Sequence, residues 1–207
     1  MAGFGRSPHR TGYDPSVAKT TPIHFSGDPE ADAFLGADPL ALMIGFVLDQ
    51  QVTVQKAFSS PLVLAERIGG LDAKKIAAMD PQLLEEAFRE KPALHRFPSN
   101  MARRTQEFCG AIASEYDGDV TAVWNGARDG ADLEQRLLAL PGIGEMKART
   151  IIGVIAKRLG VHPPGWEEFA PLHESLGDVD SPQALADYQA AKRARKAAYR
   201  AAQQQTA

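Results

Sequence analysis

Leu140-Pro141-Gly142-Ile143-Gly144-Glu145-Met146-Lys147-Ala148 is the stretch from which the rest of this chain can be read. Asp132 to Ala139 before it reads as a helix, and Arg149 to Leu159 after it reads as a second. A Pro-Gly-apolar-Gly turn between two helices predicts a tight helical hairpin. Its glycines can take backbone angles that a side chain forbids, and they let another backbone come close. The second helix then begins with free N–H groups and the positive end of its dipole, a ready anion site. The anion expected here is a DNA phosphate.

Working outward, 207 residues suffice for one fair-sized domain or two small ones sharing a core. Apolar content of 44% and charged content of 24% are ordinary for a globular chain. The net charge of −3 means that any affinity for nucleic acid must come from local patches. The single cysteine, Cys109, excludes a disulfide framework and an all-cysteine metal or iron–sulfur cluster. Met1 to Thr20 lacks a signal-like apolar core, and the apolar run Pro39 to Leu48 is too short to span a bilayer. A cytoplasmic protein without membrane association is expected.

Helix starts punctuate the chain. Residues 1–21, rich in Gly, Ser, Pro, Thr and basic residues, read as a loose arm. Pro22 to Phe25 reads as a strand or extended segment, followed by a short helix Glu30 to Leu35. Asp38-Pro39 pairs an N-cap with a first-position proline. The helix it starts is apolar all round to Leu48, hence buried, and then meets Asp49-Gln50-Gln51-Val52-Thr53. So sharp a change of polarity marks a candidate site. Ser60-Pro61, Asp72, Asp80-Pro81 and Ser99 are read as further starts, and Ser181-Pro182 opens a last, basic helix. Strand patterns are almost absent, so the fold class is all-α. The expected organisation is an arm over 1–21, a domain over 22–172, and a linker with a basic helix over 173–207.

Two features together resemble the helix-hairpin-helix superfamily of DNA glycosylases. One is the hairpin with Lys147-Ala148; the other is the Gln50-Gln51 pair about 90 residues upstream, at the end of a buried helix. Arg96 to Arg104 is similar to the family's loop leading into a basic helix. The resemblance covers roughly Asp38 to Phe169. It implies two helical subdomains flanking a cleft, with double-stranded DNA as partner. Gly142, Ile143 and Gly144 would offer the hairpin backbone to a phosphate, with Lys147 and Arg149 adding charge. Gln50 or Gln51 would probe or fill the gap left by a flipped base, and Arg96, Arg103 and Arg104 would line the DNA face. No cofactor and no metal are implied, and a monomer is expected.

The departures concern catalysis. The family's bifunctional members place a lysine two residues after the second hairpin glycine, where this chain has Met146. A Schiff-base lyase step therefore has no matching nucleophile. Active members also carry an aspartate some 20 to 25 residues after the first glycine. Here no aspartate occurs between Asp132 and Asp178, and the corresponding stretch offers Trp166-Glu167-Glu168. Glu167, Glu168 and Asp49 are the candidate catalytic carboxylates, and Trp166 is the candidate wall of a base pocket. The expected activity is monofunctional: hydrolysis of an N-glycosidic bond by carboxylate-assisted water. The alternatives are a non-catalytic DNA-binding damage sensor or structural binder of the same fold and, third, a helical protein–protein module that keeps the hairpin only as a packing unit.

Overall fold

Aspartate before proline starts three helices in the computed structural model, which describes residues 22–205. Asp28 accepts from Glu30 N (3.0 Å) at α1 (Pro29–Ala37), and Asp38 from Leu40 N (2.8 Å) at α2 (Pro39–Leu48). Asp80 accepts from Gln82 N (2.8 Å) at α5 (Pro81–Arg89), which follows α3 (Val54–Ile68) and α4 (Ala73–Ala78). Each such cap satisfies an N–H that helix geometry leaves orphaned, and proline loses nothing there. Next come α6 (Pro98–Glu115), α7 (Ala122–Asn125), α8 (Gly130–Leu138), α9 (Glu145–Leu159) and α10 (Pro182–Gln205). Short 3-10 turns lie at Trp166–Phe169 and Leu176–Asp178. No strand occurs among the described residues, as the all-α reading expects.

α2 is the axis of the core. Leu40 to Leu48 are all buried, and each large side chain among them contributes roughly 1.5–3 kcal/mol of apolar burial. α3 and α6 pack on it. The Phe58 ring stands edge-on to Phe25 (5.1 Å between centroids) and Phe46 (5.0 Å). Gly45 leaves the space that this ring occupies, since a Cβ there would come within 2.5 Å of it. The end of α2 meets the hairpin: a Cβ on Gly142 would lie 3.7 Å from Val47 Cγ1. Two sequence regions far apart in the chain are thereby fixed side by side.

Several expectations are corrected. Ser60-Pro61 does not start a helix. Thr53 does, accepting from Lys56 N (3.2 Å), and Pro61 lies inside α3. Ser60 Oγ instead donates to carbonyls, at 2.7 Å to Lys56 and 2.8 Å to Leu94. Ser99 is not the cap of α6, which begins one residue earlier at Pro98; its hydroxyl accepts from Arg89 (2.8 Å). Of the two readings of Pro22 to Phe25, the strand does not form and the segment laid on the core does. Ile23 and Phe25 are buried, and the Phe25 and Ser26 N–H groups donate to buried Asp32. Residues 173–181, read as linker, are packed: Leu176 and Val179 are buried, and Gly177 lies against the Gly153 backbone. The arm expected over 1–21 lies outside the described residues.

Candidate nucleic-acid interface

The two hairpin glycines serve different purposes. Gly142 has φ +83°, a left-handed angle that closes the turn and that other residues adopt only with strain. Gly144, the N-cap of α9, has φ −103° and ψ 174°, open to any residue, and a Cβ there would meet nothing within 4 Å. Its smallness is not required by this chain's own packing. Ile143 is buried and anchors the turn, its N–H donating to Leu140 O (3.2 Å). Lys147 N and Ala148 N both donate to Gly144 O at 2.9 Å. Among the described residues the N–H groups of Gly144, Glu145 and Met146 donate to no protein acceptor. These are the orphan donors of a helix start, at its positive end. Glu145 places an acidic residue in the same turn, which opposes an incoming anion.

Lys147 folds back over the turn and donates to Gly142 O at 3.1 Å. Burial pushes its ammonium down to about 8; the Asp49 carboxylate opposes that shift and the Arg104 guanidinium adds to it. Asp49, Arg104 and Lys147 thus share one electrostatic neighbourhood at the end of α2. Arg149 is exposed, with Nε 3.7 Å from Glu134 of α8. Met146 is 85% exposed where a nucleophilic lysine would stand.

The glutamine pair is divided. Gln50 is held from several sides. Its Oε1 accepts from Arg104 (2.5 Å), its Nε2 donates to Val47 O (2.8 Å), and its carbonyl accepts from His95 Nε2 (2.8 Å). Gln51 is exposed and left-handed, at φ +56°. His95 is 2% exposed, and its Nδ1 accepts from Phe97 N (3.1 Å), so Nε2 carries the proton that Gln50 O receives. Burial lowers the pKa of this histidine, and Lys56 and Arg96 lower it further against the pull of the Gln50 and Leu48 carbonyls. In the same loop Phe97 is 41% exposed, with the Arg96 guanidinium 4.8 Å over its ring.

Other candidates fall elsewhere. Glu167 and Glu168 are exposed on the 3-10 turn Trp166–Phe169. That turn packs on Gly130, the first residue of α8, where a Cβ would come within 2.8 Å of Gly165 O and Trp166 Cα. The hairpin turn follows the other end of α8, about 12 Å along the helix at 1.5 Å per residue. The structure therefore does not bring Glu167 or Glu168 to the Gly142–Gly144 turn, whereas it does bring Asp49. Trp166 is half-buried against Gly130, its ring 5.7 Å from that of His162. Arg103 points along α6, bonded to Glu107 (2.6 Å) and Asn100 (3.0 Å). Arg104, one residue on and so rotated by about 100°, is the arginine that reaches Gln50. The buried register of α6, Met101, Ala102, Thr105, Phe108, Cys109 and Ile112, was the available signal, because 104 borders that stripe and 103 lies away from it. A cavity of about 420 Å³ lined by Asp38, Asp72, Lys74 and Asp117 opens at the opposite end of α2 and is separate from this interface.

A helical hairpin whose first N–H groups meet no protein acceptor among the described residues is thus seated against a polar turn at the end of a buried helix. The model of the HhH-GPD superfamily of base-excision DNA repair proteins matches residues 44–196, and the chain belongs to that family. No curated protein and no solved structure matches it. Among the described residues no single helix is long and apolar enough to cross a membrane.

Proposed function

We propose that this protein is a monofunctional DNA N-glycosylase-like member of its family, acting as a monomer on duplex DNA in the cytoplasm. The observation that carries the reading is the juxtaposition at Val47 and Gly142. It sets the unpaired N–H groups of Gly144 to Met146 beside the Asp49–Gln51 turn. The hairpin would take one phosphate by backbone donors, with Arg149 supplying outer charge. The glutamine turn would face the base stack beside it, where a base must leave the duplex before its glycosidic bond is reachable. Asp49 is the carboxylate best placed to stabilise the sugar cation or to orient water. Glu167 and Glu168 remain candidates only for a substrate that reaches the far end of α8, and Trp166 would line a pocket only there.

The test is base release from duplexes carrying uracil, 8-oxoguanine, or alkylated or deaminated bases, with Asp49→Asn beside the wild type. Release that falls by tenfold or more in Asp49→Asn supports the assignment, and release unaffected by it removes Asp49. One observation favours a second reading, a non-catalytic damage sensor or structural binder: no aspartate occurs between Asp132 and Asp178, and Glu167 and Glu168 lie away from the hairpin turn. Tight, lesion-selective binding with no release from any substrate would establish it.

A further inference from the structure

A left-handed glutamine needs something to hold it. A non-glycine residue at φ near +56° is strained, and glutamine has no short side chain to bond its own backbone there. The side chain of Gln51 is exposed and makes no hydrogen bond among the described residues, so nothing it does itself compensates. The restraint comes from its neighbour. All four polar groups of Gln50 are engaged: its N–H with Leu48 O (2.7 Å), its carbonyl with His95, its amide oxygen with Arg104, its amide nitrogen with Val47 O. The His95 bond acts on the peptide plane that joins residues 50 and 51. Its ring is in turn fixed by the Phe97 N–H. Three elements, the end of α2, the loop before α6, and α6 itself, thus converge on one residue, Gln50.

We propose that His95 and Arg104 are positioning residues which, through Gln50, hold Gln51 in its left-handed conformation and direct its side chain outward to the duplex. The DNA-facing half of this rests on the function proposed above; the clamp itself does not. The pair then divides its labour. Gln50 is an internal rivet and Gln51 is the residue presented, so exchanging their roles would require breaking four hydrogen bonds. The strain at Gln51 is maintained by buried contacts instead of being relaxed, as is common where a side chain must be aimed before its ligand arrives.

Two readouts test this. The first needs no DNA. Gln51→Gly relieves the strained angle and should raise the folded-to-unfolded equilibrium constant about fivefold in the wild-type background. The gain should shrink below about twofold in His95→Phe or Arg104→Met, where the angle can relax, and return in His95→Gln, which keeps an N–H donor. A fivefold gain that persists in both clamp variants overturns the clamp, and Arg104→Met keeps the test decisive if His95→Phe does not fold. The second readout uses a duplex containing 2-aminopurine, whose fluorescence rises when its base unstacks. Gln51→Gly should lose most of that rise; His95→Phe and Arg104→Met should each lose it too while the Kd changes less than about threefold, and His95→Gln should restore it. If Arg104→Met instead weakens binding and lowers the salt slope by about one with fluorescence intact, Arg104 is a phosphate ligand and the proposal fails. A wild-type protein that binds no duplex, with the first readout as expected, overturns the proposed function and leaves the clamp standing.

Discussion

Consider Gly144→Ala at the start of α9. Its backbone angles, φ −103° and ψ 174°, suit any residue, and the added Cβ meets nothing within 4 Å. Alanine is a poorer N-cap than glycine by about 0.5–1 kcal/mol, and a stiffer unfolded chain returns about 0.4–1 kcal/mol. The net change in stability should therefore stay within about 0.5 kcal/mol. At the interface the same methyl stands beside the N–H groups of Gly144, Glu145 and Met146. A phosphate kept from one charge-assisted hydrogen bond loses roughly 1.5–3 kcal/mol, or about 10- to 100-fold in Kd. Backbone donors release no counterions of their own, so the salt dependence should hold its slope. Urea unfolding and anisotropy titrations of a labelled duplex at several salt concentrations measure all three quantities. Unchanged affinity with unchanged stability would refute the reasoning, because the glycine would then have no task in either the fold or the grip. Gly142→Ala is the contrast: φ +83° predicts a loss of about 1 kcal/mol in stability as well.

Five further outcomes are expected. Glu145→Gln removes the negative charge in the first turn of α9 and should tighten duplex binding severalfold at low salt, an effect that fades as salt rises; weaker binding would place the carboxylate in a supporting role. Gly45→Ala drives a methyl to 2.5 Å from the Phe58 ring, which Phe25 and Phe46 hold edge-on, so it should cost about 1–3 kcal/mol, read from urea midpoints. His95 has its folded pKa lowered, so the unfolded chain binds its proton first: stability is full above about pH 6.5 and is lost as pH falls, by up to about 1.4 kcal/mol per unit. That slope, measured between pH 7.5 and 5.5, should flatten in His95→Gln. Lys147, held down to about 8, is charged at pH 7 and largely neutral at pH 9, so duplex affinity should fall over that range in the wild type and not in Lys147→Met. Borohydride should trap no adduct with abasic DNA; a Lys147-dependent adduct would make that amine a nucleophile.

Much of the fold was legible because its signals are local. Asp38-Pro39 and Asp80-Pro81 begin helices by satisfying the next N–H groups, which needs no distant partner. The hairpin was legible for the same reason, since Gly142 closes the turn by its own backbone angle. Ser60-Pro61 misled because Ser60 bonds to Leu94, a carbonyl 34 residues away, inside a helix that Thr53 had already begun. Residues 173–181 looked like linker because no periodicity marks a 3-10 turn that is buried by a close glycine-to-glycine approach.

What the sequence by itself determined is the helical class, the hairpin and the polar break at Gln50-Gln51, because capping, turn angle and hydrophobic run are properties of neighbouring residues. Tertiary structure alone decided where the members of each pair lie. Arg104 and not Arg103 reaches Gln50, because consecutive residues on a helix point about 100° apart. Gln51 is outward and Gln50 riveted, because His95 and Arg104 arrive from other segments. Asp49 lies by the hairpin while Glu167 and Glu168 lie beyond α8, because Val47 packs at Gly142 and the Trp166 turn packs at Gly130. Contacts between residues dozens of positions apart leave no mark in a local pattern, and those contacts assemble the site.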